Sequence, residues 1–256
     1  MTDGTQAVTD DVTIWIAAGG IFLLAGAVKG VVGMGLPTVA MGLLATLMPP
    51  AQAAALLLIP SFVTNVWQLL SGPAFGRLLK RLWTMMVGVV VGTVGGAGML
   101  TGAHSGRALI ALGVALAIYA ALGLLSVRFS VWPAHERWLS PLIGVTTGLT
   151  TGATGVFVIP AVPYLQALNL ERNDLIQALG LSFTVSTIAL AVGLYGHGAF
   201  TASVAPLGLS LLALIPALLG MIAGQHVRER MSVETFRRVF FAGLLLLGVY
   251  LTLEGL

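Results

Sequence analysis

The chain contains no cysteine and very few charged residues. The absence of cysteine from its 256 residues excludes disulfide bonds, thiolate metal sites and thiol catalysis. Charged residues make up 8% of the chain, against about 25% in soluble domains, whereas hydrophobic residues make up 57%. Most of the chain must therefore face lipid or other apolar helices. The formal net charge is only +3 and no basic stripe is present, so nucleic-acid binding is not expected.

Carboxylates and histidines are missing from the interior of the apolar runs. Acidic residues beyond the N-terminal segment lie in loops or at run ends, and so do the four histidines, His104, His135, His197 and His226. None of these histidines has an acidic or histidine partner four residues away, which argues against a metal site. Paired carboxylates and a buried nucleophile with its base are absent as well, so the protein is not expected to be an enzyme or to need a cofactor.

Long apolar runs fill most of the chain. Ten can be drawn, at 12–28, 31–48, 52–71, 82–101, 107–127, 139–155, 156–168, 175–195, 203–225 and 233–253. Several reach the ~20 residues that span hydrocarbon. The runs are apolar on every face, whereas strands of a membrane barrel alternate in polarity. The predicted fold class is therefore all-α, a polytopic helical membrane protein.

A glycine-broken segment occurs twice, once in each half of the chain. Each copy has three glycines at spacings of four and three residues and then meets a proline, and the following run carries Ser-Phe. The copies are Gly26, Gly30, Gly33 and Pro37, followed by Ser61-Phe62, and Gly148, Gly152, Gly155 and Pro160, followed by Ser182-Phe183. This recurrence predicts an internal duplication. In membrane proteins, interrupted helices at matching positions of two halves point to a transport site.

The loop cations favour an inverted arrangement of the two halves. The two apolar runs that flank each glycine break can together begin and end on the same side of the membrane, whether by two crossings or as a re-entrant hairpin. With the N-terminus outside, Arg107 is then the only loop cation on the outer side. The cytoplasmic cations are then Arg77, Lys80, Arg81, Arg128, Arg137, Arg172, Arg228, Arg230, Arg237 and Arg238. We therefore predict one transmembrane domain made of two inverted repeats of about five helical segments each, at 12–127 and 139–254, joined by a cytoplasmic linker at 128–138.

Lys29 is the candidate charge of a binding site. It lies inside the first glycine motif, between two apolar runs. An ammonium at membrane depth costs roughly 2.5–3.5 kcal/mol on insertion scales, so it needs a partner or a purpose. One interpretation is that Lys29 and free backbone N–H groups beside it attract an anion. The alternative is that Lys29 ends a full crossing and extends to the interface.

Other polar groups could complete such a site. Backbone near Gly30, Gly33 and Gly35 is unusually free to bend, although glycines at this spacing also let helices pack closely. In the second copy the threonines could donate to an oxyanion or bond back to a carbonyl one turn earlier. The remaining candidates are Thr151, Gly152, Thr154 and Gly155 in the second motif, and Asn65, Gln68, Ser182 and Ser186 on the helices that follow the two motifs.

The doubled glycine motif and the Ser-Phe runs resemble the TauE/SafE family of membrane permeases, also called sulfite exporters. The resemblance covers nearly the whole chain. It implies transport across the bacterial inner membrane of small sulfur-containing anions such as sulfite, sulfonates or sulfoacetate, with some members linked to other organic acids. The chain departs from common members in having Met34 and Leu36 where a denser run of glycines is usual, and in having Lys29.

The expected function is that of a secondary transporter, with export as the expected direction. A small anion would bind near the membrane midplane between the two broken segments, with access alternating between the faces. The expected partners are this anion and the lipid bilayer; a homodimer is left open. Because no carboxylate lies inside the runs, export could be driven by the membrane potential alone. A permease for another organic acid, a membrane-embedded enzyme and a structural subunit are the alternatives.

Overall fold

The computed structural model describes residues 3–101, 105–126, 129–198, 205–230 and 232–256. Within these ranges the chain forms ten α-helices and a 3₁₀ turn, Ala97–Met99, and no strand. The first half contains α1 Asp3–Val32, α2 Leu36–Leu44, α3 Pro50–Leu70, α4 Phe75–Gly96 and α5 Ser105–Leu124. The second contains α6 Pro133–Thr154, α7 Ala161–Ala167, α8 Arg172–Gly196, α9 Ala205–Arg230 and α10 Val233–Glu254. The all-α prediction is confirmed.

Seven helical stretches of the described chain are long and apolar enough to cross a bilayer. They are Thr13–Val32, Pro50–Leu70, Phe75–Met99, Gly106–Leu124, Arg172–Gly196, Gly208–Arg230 and Glu234–Glu254. This confirms a polytopic membrane protein. The two short helices, α2 and α7, follow the two glycine motifs. The apolar run predicted at 31–48 is thus only partly helical, because the backbone breaks inside it.

The breaks are set by glycines in left-handed backbone conformations. Gly33 has φ +83° and Gly35 has φ +105°, so α1 ends and α2 begins on either side of this pair. Gly155 has φ +71° and caps the end of α6. Side chains with a Cβ rarely adopt these angles, so glycine is required at these points. Pro37, in the first turn of α2, lacks an N–H that would have no helical acceptor there.

Helices at corresponding positions of the two halves pair with one another. Along α3 and α8, Asn65 meets Thr187 and Leu69 meets Gly180, so the two helices are antiparallel. The α5 and α10 pair is also antiparallel, since Gly113 meets Gly248 and Gly106 approaches Gly255.

The broken helices pair instead with the fourth helix of the other half. Residues 26 and 30 of α1 face residues 217–221 and 221–225 of α9, so both helices run in the same direction. Residues 88, 92 and 96 of α4 face 141–145, 145–149 and 149–152 of α6 in the same way. Small residues at these contacts let the helix backbones approach closely.

A proline inside α3 is compensated by a neighbouring helix. Pro60 has no N–H, so the carbonyl of Leu56 loses its helical donor. The hydroxyl of Ser210, on α9, donates to that carbonyl at 2.7 Å and accepts a bond from the N–H of Ile59 at 3.1 Å. The turn of α3 that contains Pro60 is therefore tied to α9, and this turn directly precedes Thr64 and Asn65.

The loop cations gather at one end of the helix bundle. Ion pairs join Arg77 to Asp174 at 2.5 Å and Arg81 to Glu136 at 2.6 Å, which brings the first two turns of α4 together with the first turns of α6 and α8. Arg237 donates to Ser126 at 2.9 Å, which adds the end of α5 and the start of α10. Arg107 lies at the other end of α5. Arg128 and His104 lie outside the described residues.

Candidate functional site

Lys29 is buried inside the bundle, with 5% of its surface exposed. Its ammonium donates to the hydroxyl of Thr64 at 3.1 Å and to the amide oxygen of Asn65, both on α3. The side chain therefore does not extend to the interface, and the second interpretation of Lys29 does not hold. An ammonium has three N–H groups, so one remains for a ligand.

The groups around Lys29 are neutral. Asn65 uses its amide group to donate to Thr187 on α8 at 3.4 Å, and Thr187 donates to the carbonyl of Phe183 at 2.7 Å. Thr64 donates to the carbonyl of Pro60 at 2.7 Å. Among the residues whose side chains the structure describes, Lys29 is the only charged one that is buried, and none of the ion pairs found there includes it. The positive charge is solvated by oxygens but not neutralised.

A cavity of about 590 Å³ opens beside Lys29. Its wall is formed by α1, α3, α8 and α9, and it contains the exposed side chains of Arg172 and Arg228 together with Glu229. Three cations thus face one carboxylate. Since Arg172 begins α8 and Arg228 lies near the end of α9, at the cation-rich end of the bundle, the cavity leads from that end to Lys29.

The glycines of the first motif have different roles. Gly30 packs on the backbone of α9 at Met221 and Gly224, which leaves no room for a Cβ. Gly33 borders the cavity with open space around it, and Gly35 lies against Val28 at the start of α2. Gly30 and Gly33 line the cavity, whereas Gly35 does not.

The second glycine motif lies elsewhere in the bundle. Gly152 packs on α4 at Thr93 and Gly96, and Gly155 contacts Met41 of α2. The hydroxyls of Thr151 and Thr154 donate to carbonyls one turn earlier, at 2.8 and 2.6 Å. These four residues do not line the cavity beside Lys29. The two threonine hydroxyls therefore bond back to their own helix, which was the alternative to donating to an oxyanion.

The polar residues that follow the two motifs are buried between α3 and α8. Gln68 lines the cavity, but its amide group already donates to the carbonyl of Ile176 at 3.0 Å. The hydroxyls of Ser182 and Ser186 are buried and have no partner in the described part of the chain. Ser186 precedes Thr187, the residue to which Asn65 bonds. Neither serine borders the cavity.

Four contributors were missed by sequence reasoning. Thr64 and Thr187 bind members of the Lys29 network directly, and Arg172 and Arg228 line its entrance. Thr64 adjoins Asn65, which is a weak signal. Nothing in the sequence brings the two arginines together, because the ends of α8 and α9 meet only in the folded chain.

Replacing Asn65 with leucine is expected to destabilise the protein by about 1–3 kcal/mol, because a buried ammonium loses one of its two acceptors. Thermal unfolding in detergent measures the effect. In the double variant Lys29→Met/Asn65→Leu the donor is also gone, so most of the lost stability should return. If the stability lost by the double variant equals the sum of the losses in the two single variants, Asn65 does not stabilise Lys29.

Comparison with known proteins gives one finding. The family model described as "Sulfite exporter TauE/SafE" matches residues 18–251. Neither curated proteins nor solved structures match the chain. The match covers both glycine motifs, all the residues around Lys29 and the seven stretches that can cross a bilayer, save the first few residues of the first stretch and the last few of the seventh. The chain therefore belongs to the TauE/SafE family of sulfite exporters, a family of membrane transporters.

Proposed function

We propose that the protein is a secondary transporter that exports small sulfur-containing or organic anions, such as sulfite or sulfonates. The observation that carries the proposal is the charge of Lys29, buried among neutral oxygens at the inner end of a cavity that two arginines also line. A buried cation without a counter-ion is costly, and a bound anion would remove that cost. Family membership supports an anion of the sulfite type.

The anion binds in the cavity with Lys29 as its principal charged partner. The free N–H of the ammonium faces the ligand, while Thr64 and Asn65 hold the other two. Backbone near Gly33 is open to the cavity with no side chain in the way, but the Gly33 N–H already donates to the carbonyl of Lys29 at 2.8 Å and is not free for the anion. Thr151, Gly152, Thr154, Gly155, Ser182 and Ser186 contribute only if the bundle rearranges, since they do not border the cavity.

The site lies near the membrane midplane, with the two halves as inverted repeats. Two observations support this part of the proposal. The α3 and α8 pair and the α5 and α10 pair are antiparallel, as helices related by a two-fold axis in the membrane plane must be. Ser186 lies four residues after Ser182, just as Asn65 lies four residues after Ser61, so the two residues correspond in the two halves. Asn65 bonds to Thr187, the residue next to Ser186. In this proposal the two-fold axis passes beside Asn65.

The proposed orientation places the cation-rich end in the cytoplasm of a bacterial cell and the N-terminus outside, which follows the positive-inside rule. The cavity then faces the cytoplasm, the side from which an exporter loads. Alternating access comes from one repeat moving against the other around Lys29.

Neutralising the entrance arginines is expected to weaken anion capture. Arg172→Gln or Arg228→Gln should raise the half-saturating anion concentration several-fold at low salt, because each cation attracts the approaching ligand. The difference from the unmodified protein should shrink in 0.5 M salt, where charges are screened within about 3–5 Å. Anion flux across vesicle membranes, with the anion supplied to the cation-rich side of the protein, measures the half-saturating concentration.

Arg230→Gln is the matched control, since Arg230 is exposed on the same last turn of α9 but does not line the cavity. Equal effects of Arg228→Gln and Arg230→Gln would show that only the general surface charge matters and would contradict a role for the entrance.

The membrane potential is expected to drive export. A potential of 100 mV, negative inside, favours exit of a monovalent anion by about 2.3 kcal/mol. Proteoliposomes at equal pH on both sides should therefore carry net anion flux when a potassium diffusion potential is imposed. Flux that ignores the potential and follows a pH gradient would contradict this mode of coupling.

A further inference from the structure

Two helix interfaces in the bundle match residue for residue. Gly26 of α1 lies against Ala217 and Met221 of α9, and Gly148 of α6 lies against Val89 and Thr93 of α4. One turn later, Gly30 meets Met221, Gly224 and Gln225, while Gly152 meets Thr93, Gly96 and Ala97. The same pairing holds from the other side, where Gly220 meets Leu23 and Ala27, and Gly92 meets Val145 and Leu149.

Each cavity residue on α1 and α9 therefore has a counterpart on α6 and α4. Thr151 corresponds to Lys29, Thr93 to Met221 and Ala97 to Gln225. The aligned Ser-Phe pairs add Ala189 as the counterpart of Gln68.

The two sides are in different states. Gln225 is exposed in the cavity, whereas its counterpart Ala97 is fully buried beneath Gly193 of α8. Thr151 and Thr93 are fully buried, and only 2% of the surface of Ala189 is exposed. The structure is open around Lys29 and closely packed at the matching place in the other half.

We propose that a second vestibule, lined by Thr151, Thr93, Ala97 and Ala189, forms in the alternate state and opens to the face opposite the cation-rich one. The proposal rests on the proposed function, since it assumes alternating access. Its physical basis is that the two halves share one packing scheme, so each can adopt the arrangement that the other shows.

An unsatisfied hydroxyl supports the vestibule independently. The Thr93 hydroxyl is buried and has no hydrogen-bond partner among the described residues. Buried polar groups are normally satisfied, and an orphan needs an explanation. A water-filled vestibule in the other state supplies the missing partner.

The second vestibule carries no fixed charge. Lys29, Gln225 and Gln68 are replaced there by a threonine and two alanines, and the position matching Arg228 is the buried Leu100. Anions are therefore captured well on the cation-rich side and released easily on the other. The half-saturating anion concentration should be at least several-fold higher when the anion is supplied to the second vestibule.

Single cysteines test the vestibule directly, because the natural chain has none. A charged, membrane-impermeant methanethiosulfonate is applied to each face of vesicles that hold the full chain, and labelling is counted by mass spectrometry. We expect Gln225→Cys to react from the cation-rich face, and Thr93→Cys and Ala189→Cys to react only from the opposite face. Ala120→Cys, fully buried on α5 and outside both paths, is the control for background labelling.

The proposal is overturned if Thr93→Cys and Ala189→Cys stay as unreactive as Ala120→Cys from both faces, or if they react from the same face as Gln225→Cys. Two positions on different helices keep the result decisive if one variant folds poorly. Labelling needs no transported substrate, so absence of the vestibule and absence of anion transport are separate outcomes.

Discussion

Replacing Lys29 with methionine is expected to lower the apparent affinity for small oxyanions by roughly 10- to 150-fold, the range that corresponds to a charge-assisted hydrogen bond of about 1.5–3 kcal/mol. Methionine keeps roughly the length of the side chain but removes the charge and the N–H groups from which Thr64 and Asn65 accept hydrogen bonds. Uptake of labelled sulfite or a sulfonate by proteoliposomes measures the effect. The fold should survive, because an unneutralised buried charge is removed rather than created.

The chain provides its own control, since Lys80 is the only other lysine. It is exposed at the cation-rich end, on α4. Lys80→Met makes the same chemical change without touching the cavity and should transport normally. A Lys29→Met variant with normal rate and affinity would show that the ammonium does not bind the transported anion.

Gly92→Ala is expected to destabilise the protein by about 3 kcal/mol or more, near or above the upper end of overpacking effects. A Cβ at this position would lie 2.8 Å from the backbone nitrogen of Leu149 and 3.0 Å from the Cα of Gly148, so α4 and α6 would have to separate. Backbone atoms cannot yield as a flexible side chain would. Thermal unfolding in detergent and the yield of monodisperse protein both report the loss.

Gly95→Ala serves as the control on the same helix. Gly95 is exposed and has no atom within 4 Å of where a Cβ would lie. Alanine there should be neutral or stabilising by up to about 1 kcal/mol, through its higher helix propensity. Equal stability of the Gly92→Ala and Gly95→Ala proteins would contradict close backbone packing between α4 and α6.

The architecture was largely predictable because membranes restrict the choice of structure. Apolar runs without alternation leave helices as the solution, and the two glycine–proline breaks are local signals that fall where α1 and α6 end. The exact extent of α2 was less predictable. Residues 33–35 are as apolar as the helices on either side, and the positive φ angles of Gly33 and Gly35 exclude these residues from both α1 and α2.

The site was only partly predictable because its members come from distant segments. Lys29 and Asn65 stand out as polar groups in apolar runs, yet the sequence leaves open whether Lys29 is buried or extends to the interface. The contact with α3 decides this, and it exists only in the folded chain. Glycine spacing likewise could not separate packing from binding, since the partner of Gly152 is on α4, more than fifty residues away.

Arg172 and Arg228 illustrate the opposite failure. Both look like ordinary loop cations, useful for topology and nothing more. Their position at the entrance to the Lys29 cavity depends on how α8 and α9 converge. The threonines of the second motif mislead in the same way, because Thr151 and Thr154 satisfy their hydroxyls on their own helix.

The most direct test is a structure determined with selenite, a heavier oxyanion of the same shape as sulfite, located by its anomalous scattering. We predict a selenium peak inside the cavity, with a selenite oxygen within hydrogen-bond distance of the Lys29 ammonium and with Thr64 and Asn65 still bonded to it. A saturated protein whose selenium lies only at the surface, or whose Lys29 stays without an anion, would contradict the account.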